Sequence, residues 1–200
     1  MWNHRVTNVK LDEKTNHIVS GLERSGTSMM MQMLHAGGIP VTSDNLRKPD
    51  ENNPKGYYEL EGGKIINKLM NGSFSFDKHK GEFVKITAYG LKYLPSGNYK
   101  IIYMERNIEE ILDSMEKMAG IKDENRDETR KSFLKLNQMI KNFIANRDDV
   151  KLLYVNYNEM ISNPEHSIRR IVSFLNLSDV NLDKMIQSID KKLYRQRRTA

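Results

Sequence analysis

The sequence predicts an α/β fold, a three-layer sandwich with a mostly parallel central sheet, and three observations support this class. Short apolar runs alternate with longer segments in which apolar residues recur every three or four positions, the pattern of β-α units. A P-loop-like phosphate-binding loop follows the first apolar run. A length of 200 residues suits one domain, so we expect a single domain over 1–200 with a basic tail at about 190–200.

The individual elements follow from the same periodicity. The apolar runs predict strands over 17–21, 82–87, 100–105 and 151–156. The longer segments predict helices over 27–36, 60–70, 108–119 and 128–146. Pro164 suits the first turn of a further helix, which carries an apolar stripe over 168–175. The segment 44–56 has no periodicity, so we predict a long irregular loop there.

Composition excludes several classes of function. The chain has no cysteine, which excludes disulfide scaffolds, thiolate metal sites and cysteine nucleophiles. The 32 Lys and Arg residues exceed the 26 Asp and Glu residues by 6, a balance that favours anionic partners. No apolar stretch approaches the roughly 20 residues that cross a bilayer, and the N-terminus lacks a signal-peptide run. We therefore expect a cytoplasmic location and no membrane span.

The loop over 21–28 reads GLERSGTS and has the spacing of a phosphate-binding loop. Gly21 and Gly26 are separated by four residues, and a predicted helix begins directly after them. Such glycines let backbone N–H groups surround a phosphate while the helix presents its positive end. The ATP-binding form has Lys after the second glycine, whereas this chain has Thr27, and Arg24 is the cation in the loop. A plain strand-to-helix turn, capped by a hydroxyl, is the structural alternative.

A second cation and hydroxyl follow the predicted strand over 100–105. Arg106 comes directly after this strand, and Ser114 lies eight residues further on, two turns into the next predicted helix. Because the carboxyl ends of parallel strands meet at one edge of a sheet, these side chains are expected beside the glycine loop. The sequence thus predicts two anion sites that serve one ligand. The alternative is a solvated surface arginine and a helical serine with no functional role.

On these residues the chain resembles sulfotransferases that use 3′-phosphoadenosine 5′-phosphosulfate. The loop 21–28 looks like the family's loop for the 5′-phosphosulfate, and Arg106 with Ser114 looks like its pair for the 3′-phosphate. The segment 53–59 is similar to one found in bacterial members, and 154–177 resembles the closing strand and helix. The resemblance spans most of the chain.

The resemblance implies which residues hold the donor, and it implies no metal. Tyr157 resembles a tyrosine that contacts adenine in some members. The full set of expected donor contacts is Arg24, Ser25, Gly26, Thr27, Ser28, Arg106, Ser114 and Tyr157. The five histidines are scattered with no paired spacing, so no metal constellation is expected.

The catalytic residues are expected to be Arg24, Lys85 and Glu59. Arg24 and the strand-end Lys85 would meet the leaving oxygen, because transfer of a sulfuryl group develops negative charge there. The cytosolic small-molecule enzymes have a His soon after the lysine on the central strand, whereas this chain has none after Lys85. A carboxylate is then the natural base, and Glu59 is the expected one, with His35 and His79 as alternatives.

Three other functions fit parts of the sequence. A P-loop kinase using ATP and magnesium would place Glu105 at the metal, but Thr27 argues against it. A catalytically silent member would bind nucleotide without turnover. A nucleic-acid module would use the basic tail, in which five of the eight residues over 191–198 are Lys or Arg, but Tyr194 is its single aromatic. We expect no nucleic-acid partner, and the sequence carries no code for the acceptor or the oligomeric state.

Overall fold

A computed structural model describes residues 9–51 and 53–190, and it is built around a four-stranded sheet. The strand order is β2-β1-β3-β4, and every pairing between these strands is parallel. The strands are β1 Asn16–Gly21, β2 Phe83–Lys85, β3 Tyr99–Glu105 and β4 Val150–Asn156. The predicted parallel sheet is confirmed, although β2 is shorter than the predicted strand over 82–87.

Helices cover both faces of the sheet. They are α1 Thr27–Ala36, α2 Ile65–Met70, α3 Ile108–Ala119, α4 Arg126–Ala145, α5 Tyr157–Ser162, α6 Pro164–Leu175 and α7 Leu182–Ser188. Short 3-10 turns occur at Glu61–Gly63, Phe76–His79 and Ala88–Tyr93. Within 9–51 and 53–190, no helix has the length and apolar character needed to cross a bilayer. The basic tail over 191–198 lies outside the described residues.

Two separate cores produce the three-layer arrangement. Successive strand residues point to opposite faces, so Val19 packs with α1, α6 and α7 while its neighbour Ile18 packs with α2 and α4. All six residues of β1 are buried, as expected for a central parallel strand covered on both faces. The predicted α/β three-layer sandwich is confirmed.

The predicted helix over 60–70 is wrong in its first half. Gly62 and Gly63 have φ values of 59° and 90°, in the left-handed region that ends a right-handed helix. The chain therefore makes a 3-10 turn at Glu61–Gly63, and α2 begins only at Ile65. The helix α7 was not predicted, because its seven residues are too few for the periodicity to stand out.

The strand register determines where the loops meet. Gly21, the last residue of β1, lies opposite Met104 near the end of β3. Glu105 of β3 pairs with Asn156, the last residue of β4, so Tyr157 begins just beyond the same edge. The glycine loop, Arg106 and Tyr157 therefore leave the sheet side by side. This edge is where doubly wound folds bind ligands.

Candidate active site

A cleft of about 360 Å³ opens at this carboxyl edge of the sheet. Its wall combines the glycine loop, the start of α1, the segment before α2, the end of β2, the second half of α3 and the first turn of α5. The sequence-predicted residues that line it are Arg24, Gly26, Thr27, Ser28, Glu59, Lys85, Arg106, Ser114 and Tyr157. Ser25 is the exception: it is buried inside the loop with 1% of its surface exposed, behind the cleft wall.

The glycine loop is held in a conformation that only a glycine at position 26 permits. Gly26 has a φ of 104°, and a Cβ atom placed there would lie 2.4 Å from the ring of Tyr157. Arg24 is also left-handed, with a φ of 65°, and its carbonyl accepts a hydrogen bond from Arg106 at 3.1 Å. Such a backbone costs on the order of 1 kcal/mol for a non-glycine residue, so this contact stabilises the loop where it is strained.

The two predicted anion sites are joined. Arg24 Nε donates to Ser114 Oγ at 2.9 Å, which links the loop to α3. The Arg106 guanidinium lies 4.4 Å from the centre of the Tyr157 ring and pairs with Glu110 at 3.0 Å. Burial lowers the pKa of Arg24, but a guanidinium stays charged at neutral pH. Two permanent cations therefore face one cleft.

Lys85 is a buried cation beside the loop, and it is not a solvated strand end. It is 7% exposed and donates to Ser28 Oγ at 3.2 Å, to Glu59 Oε1 at 3.0 Å and to the Tyr57 carbonyl. Burial lowers the pKa of Lys85, and the attraction of Glu59 opposes that shift. The structure thus brings the predicted cation and the predicted base into direct contact.

Arg47 is a site residue that the sequence reasoning missed. Its guanidinium donates to both oxygens of Glu59 at 3.2 Å and lies 3.6 Å from the centre of the Tyr57 ring. Arg47 belongs to the irregular loop, where no periodicity or spacing distinguishes one cation from another. Glu59 therefore lies between two cations, one buried and one exposed.

The segment around Glu59 is anchored by buried amides. Gln32 of α1 donates to Asn53 Oδ1 at 2.9 Å and to the Gly56 carbonyl at 3.0 Å, and Asn53 donates to the same carbonyl. Buried polar groups of this kind are stable only when they are hydrogen-bonded, so they fix the path of the chain. The irregular loop is thereby attached to α1, and Glu59 is held at the cleft.

The alternative bases lie elsewhere. His35 is exposed near the end of α1 and contacts the Tyr58 hydroxyl at 2.9 Å. His79 stacks on Phe74 with 5.4 Å between ring centroids, and burial lowers the pKa of His79. Neither histidine lines the cleft. Among the residues that the structure describes, no group of three or more His, Asp or Glu side chains is placed to hold a metal ion.

Fold and cleft together define an α/β protein with a glycine loop and several cations at the carboxyl edge of a parallel sheet. The profile of the sulfotransferase domain matches residues 14–200, so the chain belongs to the sulfotransferase domain family. Membership of this family supports sulfotransferase activity. A search of curated proteins gives no significant match.

Solved structures share the fold at low identity. Sulfotransferase STF1 from Mycobacterium tuberculosis H37Rv has a TM-score of 0.57 and 15% identity, covering 88% of this chain and 70% of its own. The sulfotransferase domain of the Synechococcus PCC 7002 olefin synthase has a TM-score of 0.56 and 12% identity, covering 92% and 80%. Mouse sulfotransferase SULT7A1, complexed with PAP, has a TM-score of 0.54 and 17% identity, covering 93% and 68%.

The contact between Gly26 and Tyr157 predicts an unusually costly glycine substitution. We expect Gly26→Ala to lower the free energy of unfolding by about 3 kcal/mol, because the new methyl group meets the ring in a strained backbone. Gly120→Ala is the matched control, since Gly120 is also left-handed but nothing lies within 4 Å of its Cβ position. Its expected cost is about 1 kcal/mol. Urea unfolding measures the free energy of unfolding of both variants. Equal losses of stability would contradict the close packing of the loop against the Tyr157 ring.

Proposed function

We propose that this protein transfers a sulfuryl group from 3′-phosphoadenosine 5′-phosphosulfate to a hydroxyl or amine acceptor. The joined anion sites carry the proposal: Arg24 contacts Ser114, and Arg106 contacts the Arg24 carbonyl, within one cleft. A donor with phosphate groups on both sides of its ribose needs two anion sites within the reach of one nucleotide. The mouse neighbour is complexed with PAP, which is 3′-phosphoadenosine 5′-phosphate, and this supports the assignment of the donor.

The described residues fit such a donor. The loop 21–28 and the start of α1 would hold the 5′-phosphosulfate through backbone N–H groups, Arg24 and the hydroxyls of Thr27 and Ser28. The Ser25 hydroxyl has no hydrogen-bond partner among the described residues, but it is buried and does not line the cleft. Arg106 and Ser114 would hold the 3′-phosphate.

Tyr157 is the proposed contact for adenine. Its ring lies between the glycine loop and the Arg106 guanidinium, and it lines the cleft. Because these two groups cover the ring, which is 6% exposed, a base would contact the part of the ring that lines the cleft. The nucleotide would thus extend from the loop along α3 to the start of α5.

The positions of Lys85 and Arg24 suit the transfer of a sulfuryl group. In transfer, a bond forms between the acceptor atom and sulfur while the bond from sulfur to the 5′-phosphate oxygen breaks, and the bisphosphate leaves. Lys85 and Arg24 supply fixed positive charge where negative charge develops on that oxygen. Little other chemistry is required of the protein, since positioning and charge stabilisation dominate such transfers.

Glu59 is the proposed base that accepts the acceptor's proton. Its carboxylate lies 3.0 Å from Lys85 Nζ, so the base and a leaving-group cation are adjacent. Lys85 and Arg47 are the two cations beside this carboxylate. Arg47 is the more exposed of the two, with 40% side-chain exposure against 6% for Lys85, so an entering acceptor would displace Arg47 first.

The kinase alternative is less well supported. Glu105, its proposed metal-positioning acid, pairs with Lys141 of α4 at 2.5 Å and does not line the cleft. Thr27 stands where the ATP-binding loop has Lys. A cytoplasmic location and the lack of a nucleic-acid partner stay predictions of the sequence.

Calorimetric titration with 3′-phosphoadenosine 5′-phosphate, beside ATP with magnesium, tests the donor assignment. We expect the bisphosphate to bind tightly and Arg106→Ala to weaken it by about 10- to 100-fold, the effect of losing hydrogen bonds to a charged group. Arg169→Ala, at an exposed pair on α6, is the control and should bind like the wild type. Binding of ATP with magnesium without the bisphosphate would refute the proposal.

Replacement of Glu59 by glutamine tests its role as base. We expect the turnover number for release of 3′-phosphoadenosine 5′-phosphate, with a panel of alcohols and amines, to fall about 100-fold or more. Donor affinity should not fall, because the carboxylate does not bind the donor and its neutralisation leaves Lys85 free to do so. Glu61→Gln is the matched control, since Glu61 pairs with Lys68 outside the cleft. Equal turnover in both variants would remove Glu59 from the mechanism.

A further inference from the structure

Glu110 is a fully buried carboxylate in the first turn of α3, and the proposed chemistry does not use it. Its side chain has 0% exposure. Burial of a carboxylate is costly unless it is paired and hydrogen-bonded, so its partners indicate why it is there. One oxygen accepts from Arg106 Nε at 3.0 Å, and the other accepts from Asn158 Nδ2 at 3.1 Å.

These contacts hold the Arg106 guanidinium from several sides. Glu110 accepts a hydrogen bond from Arg106 Nε, and the Arg24 carbonyl accepts one from Arg106 Nη1. The Tyr157 ring packs against one face of the guanidinium. A flexible arginine loses rotamer entropy when a ligand immobilises it. Arg106 is already oriented before a nucleotide binds, so its rotamer entropy is lost on folding and does not oppose binding.

Charge provides a second reason for Glu110. Arg24 and Arg106 are neighbouring cations: burial lowers the pKa of Arg24, and repulsion from Arg106 acts in the same direction. A carboxylate directly on Arg106 offsets that repulsion without occupying the cleft, because Glu110 does not line it. The two guanidinium groups can therefore remain close together and face the same ligand.

We propose that Glu110 is a positioning residue that orients Arg106 for the donor's 3′-phosphate and so gives the site its preference for 3′-phosphorylated nucleotides. The inference rests on the proposed function. It differs from a purely structural role, in which a glutamate at the third position of a helix stabilises the helix start. A structural role lowers stability but leaves the preference between nucleotides unchanged.

The test compares 3′-phosphoadenosine 5′-phosphate with adenosine 5′-monophosphate, which lacks the 3′-phosphate. Calorimetry gives the ratio of their dissociation constants for the wild type, Glu110→Gln and Glu110→Ala. We expect the preference for the bisphosphate to fall about 10-fold in Glu110→Ala and by a smaller factor in Glu110→Gln, while the monophosphate constant changes less than about twofold. Glu110→Gln keeps the side-chain volume and one accepting oxygen, so we expect it to fold.

Two controls separate positioning from stability. Asp149→Asn disturbs the pair between Asp149 and Arg147 at the far end of the sheet, so it should leave the preference unchanged. In an Arg106→Ala background, Glu110→Ala should not lower the preference further, because Glu110 acts through Arg106. Thermal unfolding of each variant records its stability independently.

The outcomes distinguish this inference from the proposal on which it rests. A wild type that does not prefer the bisphosphate refutes the donor assignment itself. A wild type with a clear preference that both Glu110 variants retain overturns the positioning role and leaves the donor assignment standing. Weaker binding of both nucleotides by the same factor also overturns the positioning role, because a structural defect gives that result.

Discussion

The parallel pairing of β1 with β3 places Gly21 opposite Met104, and the cleft depends on this register. It brings the glycine loop beside the residue that follows β3, so that Arg106 can hydrogen-bond to the carbonyl of Arg24. A shift of one residue would turn every side chain of the strand to the other face and separate these groups. The two cores therefore fix the chemistry of the edge as well as the fold.

Two cations at this edge are paired before any ligand is present. Lys85 lies against Glu59, and Arg106 lies against Glu110, so each of these two buried side chains has a carboxylate partner. A preorganised arrangement of this kind needs little rearrangement when an anion arrives, which is the condition under which fixed charges act most strongly on a reaction. Glu59 lies at the cleft wall, whereas Glu110 lies behind it, and this difference separates their proposed roles.

Sequence reasoning predicted the features that depend on local patterns. The sheet and the helix after the loop follow from periodicity and spacing, and so does the placement of Arg106 and Ser114 at one edge of the sheet. Sequence spacing does not indicate the contact of Glu59 with Arg47 or that of Gln32 with Asn53, because these residues are distant in sequence. It does not indicate the burial of Glu110 either, because a buried glutamate and a surface glutamate are the same residue type. The break at Gly62 was readable from its glycine pair, but the surrounding apolar periodicity favoured one continuous helix.

A crystal structure with bound 3′-phosphoadenosine 5′-phosphate tests most directly whether the joined anion sites hold one nucleotide. The account predicts the 5′-phosphate inside the loop 21–28 and the 3′-phosphate at hydrogen-bond distance, about 3 Å, from Arg106 and Ser114. It also predicts that the adenine lies at Tyr157. A bisphosphate bound with its 3′-phosphate away from Arg106, or outside this cleft, would contradict the account.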